Sequence, residues 1–251
     1  MTKTIWITGA SSGIGKALAI KFANQGWQVA ASARRENLLK DLNNQNPNIY
    51  SFPLDVRNEN ESKNTFQNII KKFQTIDISV FCTGMHDPDA EKKLSSEKIR
   101  EIMETNFFGT LNCIMAVNTY FRERKNGHIA IVSSVAGYRG LPAASGYCAS
   151  KSALISLAES LYFDFKRYNV KVSVINPGFI KTPMTDKNKF PMPMIKSAEF
   201  AAEKMFTGLT KKNVFEIHFP LAFTIIMKLL KIMPNWLYFL LVKKGMKTIK
   251  Y

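Results

Sequence analysis

Tyr147 and Lys151, four residues apart in Tyr147-Cys-Ala-Ser-Lys151, stand on one face of any helix that carries them. A free phenol holds its proton to a pH of ~10, too high for acid–base work at neutral pH. A neighbouring ammonium favours the phenolate, so the pair reads as a tuned proton donor. The same spacing also occurs on ordinary solvated helices. Ser134 lies at the end of an apolar run, Ile131-Val-Ser-Ser-Val-Ala-Gly137, where it can offer a hydroxyl to the same reacting atom, while strand alternation points Ser133 away. A second constellation is Thr8-Gly-Ala-Ser-Ser-Gly-Ile-Gly15, between an apolar run and a helical stretch. Glycines there permit a tight turn and close backbone approach, and the helix start offers unpaired N–H groups to a pyrophosphate. Such a turn can also simply reverse the chain, and its spacing (Gly9, Gly13, Gly15) differs from the commoner GxGxxG pattern.

These residues need a scaffold that brings strand ends together. Apolar runs of strand length recur at Thr4–Thr8, Gln28–Ser32, Ile49–Phe52, Ile78–Cys82, His128–Val132 and Val170–Ile175, with a last one at Val214–Phe219. Helical periodicity fills the gaps, over Ile14–Gln25, Glu59–Phe73 and Tyr147–Tyr168. Asn58, with Glu61 three residues on, predicts a capping box opening the helix over 59–73. Strict β-α alternation predicts an α/β fold, a doubly wound parallel sheet of about seven strands with helices on both faces. The organisation expected is a nucleotide-binding and catalytic domain over residues 1–219 and a helical extension over 220–251 that is not a separate domain. Gly178–Lys196, rich in proline and methionine and placed after a strand's carboxyl end, predicts a lid or binding loop, with plain surface irregularity as the alternative. Ser197 is expected to cap the helix that follows.

Together these residues resemble the short-chain dehydrogenase/reductase family over roughly residues 3–219. The family pairs a TGxxxGxG turn with an Asn-Ser-Tyr-Lys set, matched here by Thr8–Gly15, Asn106, Ser134, Tyr147 and Lys151 in the usual order and spacing. The resemblance implies that Gly9, Ser11, Ser12, Gly13, Ile14 and Gly15 hold the cofactor's phosphates, and that Asp55 and Val56 meet its adenine. Gly84 lets the ribose approach, while Pro177, Gly178, Ile180 and Thr182 contact the nicotinamide end. Tyr147 would protonate a carbonyl oxygen and Ser134 would hydrogen-bond it. Lys151 would bind the nicotinamide ribose and depress the tyrosine pKa, and Asn106 would hold a water that resupplies the proton. The chain departs from the family at Phe81-Cys-Thr-Gly84, where Asn-Asn-Ala-Gly is usual. At the end of the second strand stands Ala33-Arg34-Arg35, with no acid until Glu36. An acid there would hold a ribose 2′-hydroxyl, whereas an arginine suits a 2′-phosphate. Arg34 is read as that ligand, making NADP(H) the preferred cofactor and NAD(H) the second choice; the alternative is a solvated arginine pair starting a helix.

The chain has 251 residues, 46% apolar and 22% charged, which excludes intrinsic disorder. Three scattered cysteines (82, 113 and 148) exclude a disulfide framework or zinc ribbon, and no metal cluster is present. With no cleavable leader, a cytoplasmic protein is expected, and attachment to the inner face of a membrane is the further reading. The net charge of +16 could attract nucleic acid, anionic lipid or a phosphorylated ligand, or merely solvate the surface. No nucleic-acid module is recognised. Between Phe219 and Tyr251 lie six lysines and no acid, among apolar and aromatic residues interrupted by Lys228, Lys231 and Pro234. This tail should not span a bilayer. It reads either as a peripheral membrane anchor or as a cover over the pocket or a subunit interface. Leu154, Leu157, Leu161 and Phe165 suggest apolar surface beyond what one sheet face needs, and family resemblance implies a homodimer or homotetramer. The activity expected is NADP(H)-dependent hydride transfer to a small apolar carbonyl, or from the alcohol. The alternative is a non-catalytic dinucleotide sensor or scaffold at a membrane surface.

Overall fold

The computed structural model describes residues 2–188, 190–211 and 214–248, with backbone alone for 245–248. Seven parallel strands, β1 (Thr4–Thr8), β2 (Gln28–Ser32), β3 (Ile49–Ser51), β4 (Ile78–Phe81), β5 (Gly127–Val132), β6 (Val170–Pro177) and β7 (Glu216–Phe219), form one sheet in the order β3-β2-β1-β4-β5-β6-β7. The helices in chain order are α1 (Gly13–Asn24), α2 (Glu36–Gln45), α3 (Glu59–Phe73), α4 (Pro88–Lys92), α5 (Ser96–Met103), α6 (Gly109–Arg124), α7 (Ser145–Lys166), α8 (Ala198–Lys211), α9 (Leu221–Ile232) and α10 (Asn235–Thr248). This is the doubly wound Rossmann-like arrangement, and the strand order reverses direction between β1 and β4, where such sheets open a crevice at their carboxyl ends.

Burial follows strand alternation. In β1, Ile5 and Ile7 face one apolar layer with Leu18 and Phe22 of α1, Leu39 of α2 and Phe206 of α8. Trp6 faces the other layer, with Phe66 of α3, Val117 of α6 and Leu154 of α7. Trp6 packs on Phe66 and Phe81 at ring distances of 5.6 Å each, and its indole N–H donates to Ser32 Oγ at 2.9 Å. A buried indole without that acceptor would leave a donor unsatisfied.

Several boundaries shift for physical reasons. α7 starts at Ser145 and stops at Lys166 rather than running from Tyr147 to Tyr168, because Asn169 turns the chain with a left-handed φ of 55°. β7 begins at Glu216, two residues later than expected. The capping box at α3 is half made: Asn58 Oδ1 accepts from the Glu61 amide at 3.0 Å, but Glu61 Oε1 reaches past Asn58 to the Asp55 amide at 2.9 Å. Ser197 Oγ accepts from the Phe200 amide at 3.2 Å and caps α8. On α7, Leu154 and Phe165 are fully buried against the sheet, so they are not the surplus apolar surface; that role falls to the exposed Phe163 and Tyr162. The tail forms two helices broken by Pro234. α9 lays Met227, with Phe223 and Leu230, on the layer that contains α7. Among the described residues no helix is long and apolar enough to cross a membrane. Of the six tail lysines, Lys250 and the side chain of Lys247 lie outside the described residues.

Candidate active site

The carboxyl ends of the strands open on a cleft of about 870 Å³. Except for Asn106, every residue that the sequence singled out for chemistry or cofactor binding lines it: Gly9 and Ser11 to Gly15 of the turn, Arg34, Asp55, Val56, Gly84, Ser134, Tyr147, Lys151, Pro177, Gly178, Ile180 and Thr182. The turn is shaped by close backbone approach. A Cβ on Gly15 would meet Gly9 O at 2.4 Å, and one on Gly9, whose φ is +69°, would meet Cys82 O at 2.8 Å. Ser12 sits at the N-cap of α1 without a side-chain cap bond, so the helix start keeps amides for a ligand. Bare glycine backbone and an uncapped helix start suit a pyrophosphate.

Arg35, adjacent to Arg34, was not assigned a role by the sequence, yet its Nη2 donates to both Ser11 Oγ and Ser12 Oγ at 2.9 Å. A guanidinium is thereby fixed across the glycine turn. The local signal was only the doubled arginine. Asp55 lines the cleft with its carboxylate engaged by Arg57, at 2.6 Å from Oδ2 to Nη2, and this contact holds its pKa below the usual carboxylate value.

The unusual segment after β4 is supported by other means than the family's asparagines. Thr8 Oγ1 accepts from the Cys82 amide at 3.1 Å. Asn106 lies fully buried in a π-helical turn, Glu104–Phe108, between α5 and α6. Its Oδ1 accepts from the Met85 amide at 2.7 Å, and its Nδ2 donates to Met85 O and Ser150 Oγ, both at 3.0 Å. Gly84 lies beside the Lys151 ammonium: a Cβ there would stand 3.4 Å from Lys151 Nζ and 3.6 Å from Asn106 Oδ1.

Ser134 caps a 3-10 turn, accepting from the Ala136 amide at 3.1 Å, and its hydroxyl donates to Pro177 O at 3.4 Å while lying near enough to the Tyr147 phenol to favour the phenolate. Ser133, by contrast, donates to Lys151 O at 2.7 Å and so fastens α7 to the end of β5. The electrostatics correct the expectation of a phenol lowered by its lysine. Burial pushes the Tyr147 phenol up to about 12, relieved in part by Ser134. Burial also pulls Lys151 down to about 8. The ammonium is turned to Val132 O at 3.0 Å, and lies 5.7 Å from the Tyr147 ring centre. Desolvation outweighs the cation in this geometry.

Two further residues, which the sequence did not single out, frame Tyr147. The His86 ring lies against the tyrosine ring with centroids 4.6 Å apart. Glu91 of α4, fully buried, has Oε1 3.3 Å from His86 Nε2 and Oε2 accepting from the Tyr147 amide at 3.0 Å. Burial raises the Glu91 pKa and lowers that of His86.

The Gly178–Lys196 loop is closed at its base by a bridge between Ile180 and Lys196, and Met184 and Thr185 turn into the cleft. Phe179 packs on Phe190 and on Phe223 of α9, with ring distances of 6.0 and 5.4 Å.

A parallel sheet with a glycine turn at its switch point and a Ser-Tyr-Lys set lining the same crevice defines a dinucleotide-binding enzyme of the Rossmann type. Residues 3–191 match the family model described as short chain dehydrogenase. An "Uncharacterized oxidoreductase" of Myxococcus xanthus is 33% identical over 240 residues, 94% of both chains. The 3-oxoacyl-[acyl-carrier-protein] reductase FabG of Thermotoga maritima is 32% identical over 189 residues, 74% of this chain and 77% of that one. Among solved structures, ElxO with NADP bound superposes with a TM-score of 0.78 at 25% identity, covering 87% of this chain and 98% of that one. The chain belongs to the short-chain dehydrogenase/reductase family and is an oxidoreductase.

Proposed function

We propose that this protein is an NADP(H)-dependent reductase of apolar carbonyl compounds, with residues 1–219 as the catalytic unit and 220–251 as an extension. The observation that carries the reading is the single cleft uniting the glycine turn, two arginines and the Ser134–Tyr147–Lys151 set. The turn and the start of α1 would hold the pyrophosphate, and Arg34 and Arg35 the 2′-phosphate through charge-assisted bonds. Asp55, by sharing its Arg57-bound carboxylate, and Val56 would border the adenine. Gly84, Pro177, Gly178, Ile180 and Thr182 would border the ribose and nicotinamide. The bound cofactor supplies the hydride.

The chain's own residues manage the proton. A phenol held up to about 12 keeps its proton until a developing alkoxide needs it, and Ser134, whose hydroxyl donates to Pro177 O at 3.4 Å, would turn to the same oxygen. Lys151, protonated at neutral pH, would turn from Val132 O toward the ribose and stabilise the phenolate left behind. Asn106 is foremost a positioning residue for Met85. The water that family resemblance assigns to it would use the one Oδ1 lone pair its bonds leave over. Met85, Ile180, Pro183 and Met184, which line the cleft, favour an apolar substrate. Exposed Phe163 and Tyr162 on α7, with Met115 on α6, support a homo-oligomer built on these helices, and the family's dimers and tetramers are the expected forms.

The test is a carbonyl panel from short ketones to long acyl and steroid-like compounds, followed by NADPH absorbance at equal concentrations of NADH as control. Turnover rising with apolar size and favouring NADPH is expected. Turnover with none of the panel, or NADH preferred, refutes it.

A further inference from the structure

The two readings of the carboxyl-terminal segment are not exclusive, because α9 has two different apolar sides. Its inner side is occupied: Met227 and Thr224 are fully buried, and Phe223 lies against Phe179 and within reach of any side chain placed on Gly178 at the cleft wall. Its outer side is bare. Leu221, Ile225, Leu229 and Ile232, spaced four, four and three apart, are exposed, and α10 exposes Trp236 and Phe239. Ile232 is 78% and Trp236 69% exposed, far beyond what scattered surface residues require.

We propose that the outer faces of α9 and α10 form a docking surface for an anionic lipid bilayer. The charge around this face selects the occupant. The segment over 219–251 carries six lysines and no acidic residue in its sequence, and of these Lys228 is paired with Glu216 at the base of α9. A second copy of this chain would bring the same excess of positive charge against itself, which disfavours a symmetric contact there. An anionic membrane surface attracts each lysine, and its acyl region accepts branched aliphatic and tryptophan side chains. Neither helix can span the bilayer, so the mode is interfacial, with the helix axes in the plane of the surface. The docking stands apart from the reductase reading and is measured without turnover.

The structure supplies the probe. Of three tryptophans, Trp6 and Trp27 are buried and Trp236 alone is exposed, so a change in emission on adding vesicles reports this face. The full chain is mixed with phosphatidylcholine vesicles, with or without phosphatidylglycerol, at about 0.1 M and about 1 M salt, where screening lengths are ~10 and ~3 Å. Expected are co-sedimentation and a blue shift of Trp236 emission with the anionic vesicles, both weakened at high salt. Ile225→Glu with Ile232→Glu should reduce binding about tenfold or more while thermal midpoint and NADPH binding stay unchanged. Lys231→Glu with Lys243→Glu, which removes no apolar surface, should weaken anionic-vesicle binding independently. No vesicle binding at low salt, equal binding to both vesicle types, or full binding by both variants overturns the proposal. So does a fall in oligomeric state in the glutamate variants without vesicle binding by the parent, which would assign the face to a second copy.

Discussion

Glu91 Oε2 accepts the amide proton of Tyr147 at 3.0 Å across 56 residues of sequence, so a short helix after β4 caps the helix that carries the proton donor. Ala144, at the N-cap of α7, makes no side-chain cap bond, and the carboxylate from α4 replaces it. The same carboxylate lies against His86, which packs on the Tyr147 ring. Glu91→Ala should therefore cost about 1–3 kcal/mol in denaturant unfolding, by leaving buried amides unpaired. It should also lower kcat more than it raises KM, because the ring is held less firmly. Glu91→Gln, which keeps an acceptor, should recover most of the stability. Equal stability of the alanine variant and the parent would refute the capping role.

Tyr147→Phe should remove turnover by two or more orders of magnitude, ~2.7 kcal/mol of transition-state stabilisation, while NADPH binding is nearly retained. Near-parental turnover by the variant would remove the mechanism. The same substitution exposes a pH effect. The folded pKa of Tyr147 is raised from 10.0 to about 12, so its contribution to stability is fully present below pH ~10 and lost as pH rises through the folded value. Parent minus variant unfolding free energy should thus decline between pH ~10 and ~12 by roughly 2–3 kcal/mol. A flat difference would show that burial does not govern this phenol.

Cofactor choice is tested by separating the two arginines. Arg35 is already fixed on Ser11 and Ser12, whereas Arg34 lines the cleft beside it. A charge-assisted bond to a phosphate contributes roughly 1.5–3 kcal/mol. Arg34→Ala and Arg35→Ala should each weaken NADPH far more than NADH in a fluorescence titration. If Arg35→Ala weakens both cofactors alike, its role is to hold the glycine turn rather than to read the 2′-phosphate.

What could be read from the sequence is what local pattern determines. Runs such as Ile5–Ile7 are buried on both sides and announce parallel strands, and Gly9 and Gly15 sit where a backbone must pass within a side chain's width of another. Gly9, Cys82, Ser134 and Pro177 of the cleft stand at or just beyond strand ends, a position set by topology. Long-range pairings were hidden. Nothing near Glu91 points to Tyr147, and nothing near Glu61 says that it will bond the Asp55 amide instead of Asn58's. Spacing reveals the lysine beside Tyr147 but not the desolvation that opposes it and raises the phenol's pKa. In α9, apolar residues all round gave no face to choose, and only packing shows which side is covered.

The corner between α9 and α10 is fastened to the loop joining Ser134 to Tyr147. Arg139 Nη1 donates to Met233 O at 2.6 Å and also to Leu230 O, satisfying carbonyls that the end of α9 would otherwise leave without partners. Its guanidinium lies 3.9 Å from the centre of the Tyr238 ring, and the Tyr238 hydroxyl in turn donates to Gly140 O. Arg139→Ala should destabilise the fold by about 1–3 kcal/mol and impair turnover, since the loop it holds leads directly to the proton donor. Arg139→Lys should not restore stability, because an ammonium cannot reproduce the planar fork or its stacking on the ring. Deleting residues after Pro220 removes the buried Met227, Thr224 and Tyr238 together and uncovers the apolar layer beneath α9. That truncation should lose cooperative unfolding and small-ketone turnover, whereas a tail that served only as an anchor would leave both close to unchanged. A truncated protein with the parent's thermal midpoint and activity would overturn the structural role of the extension.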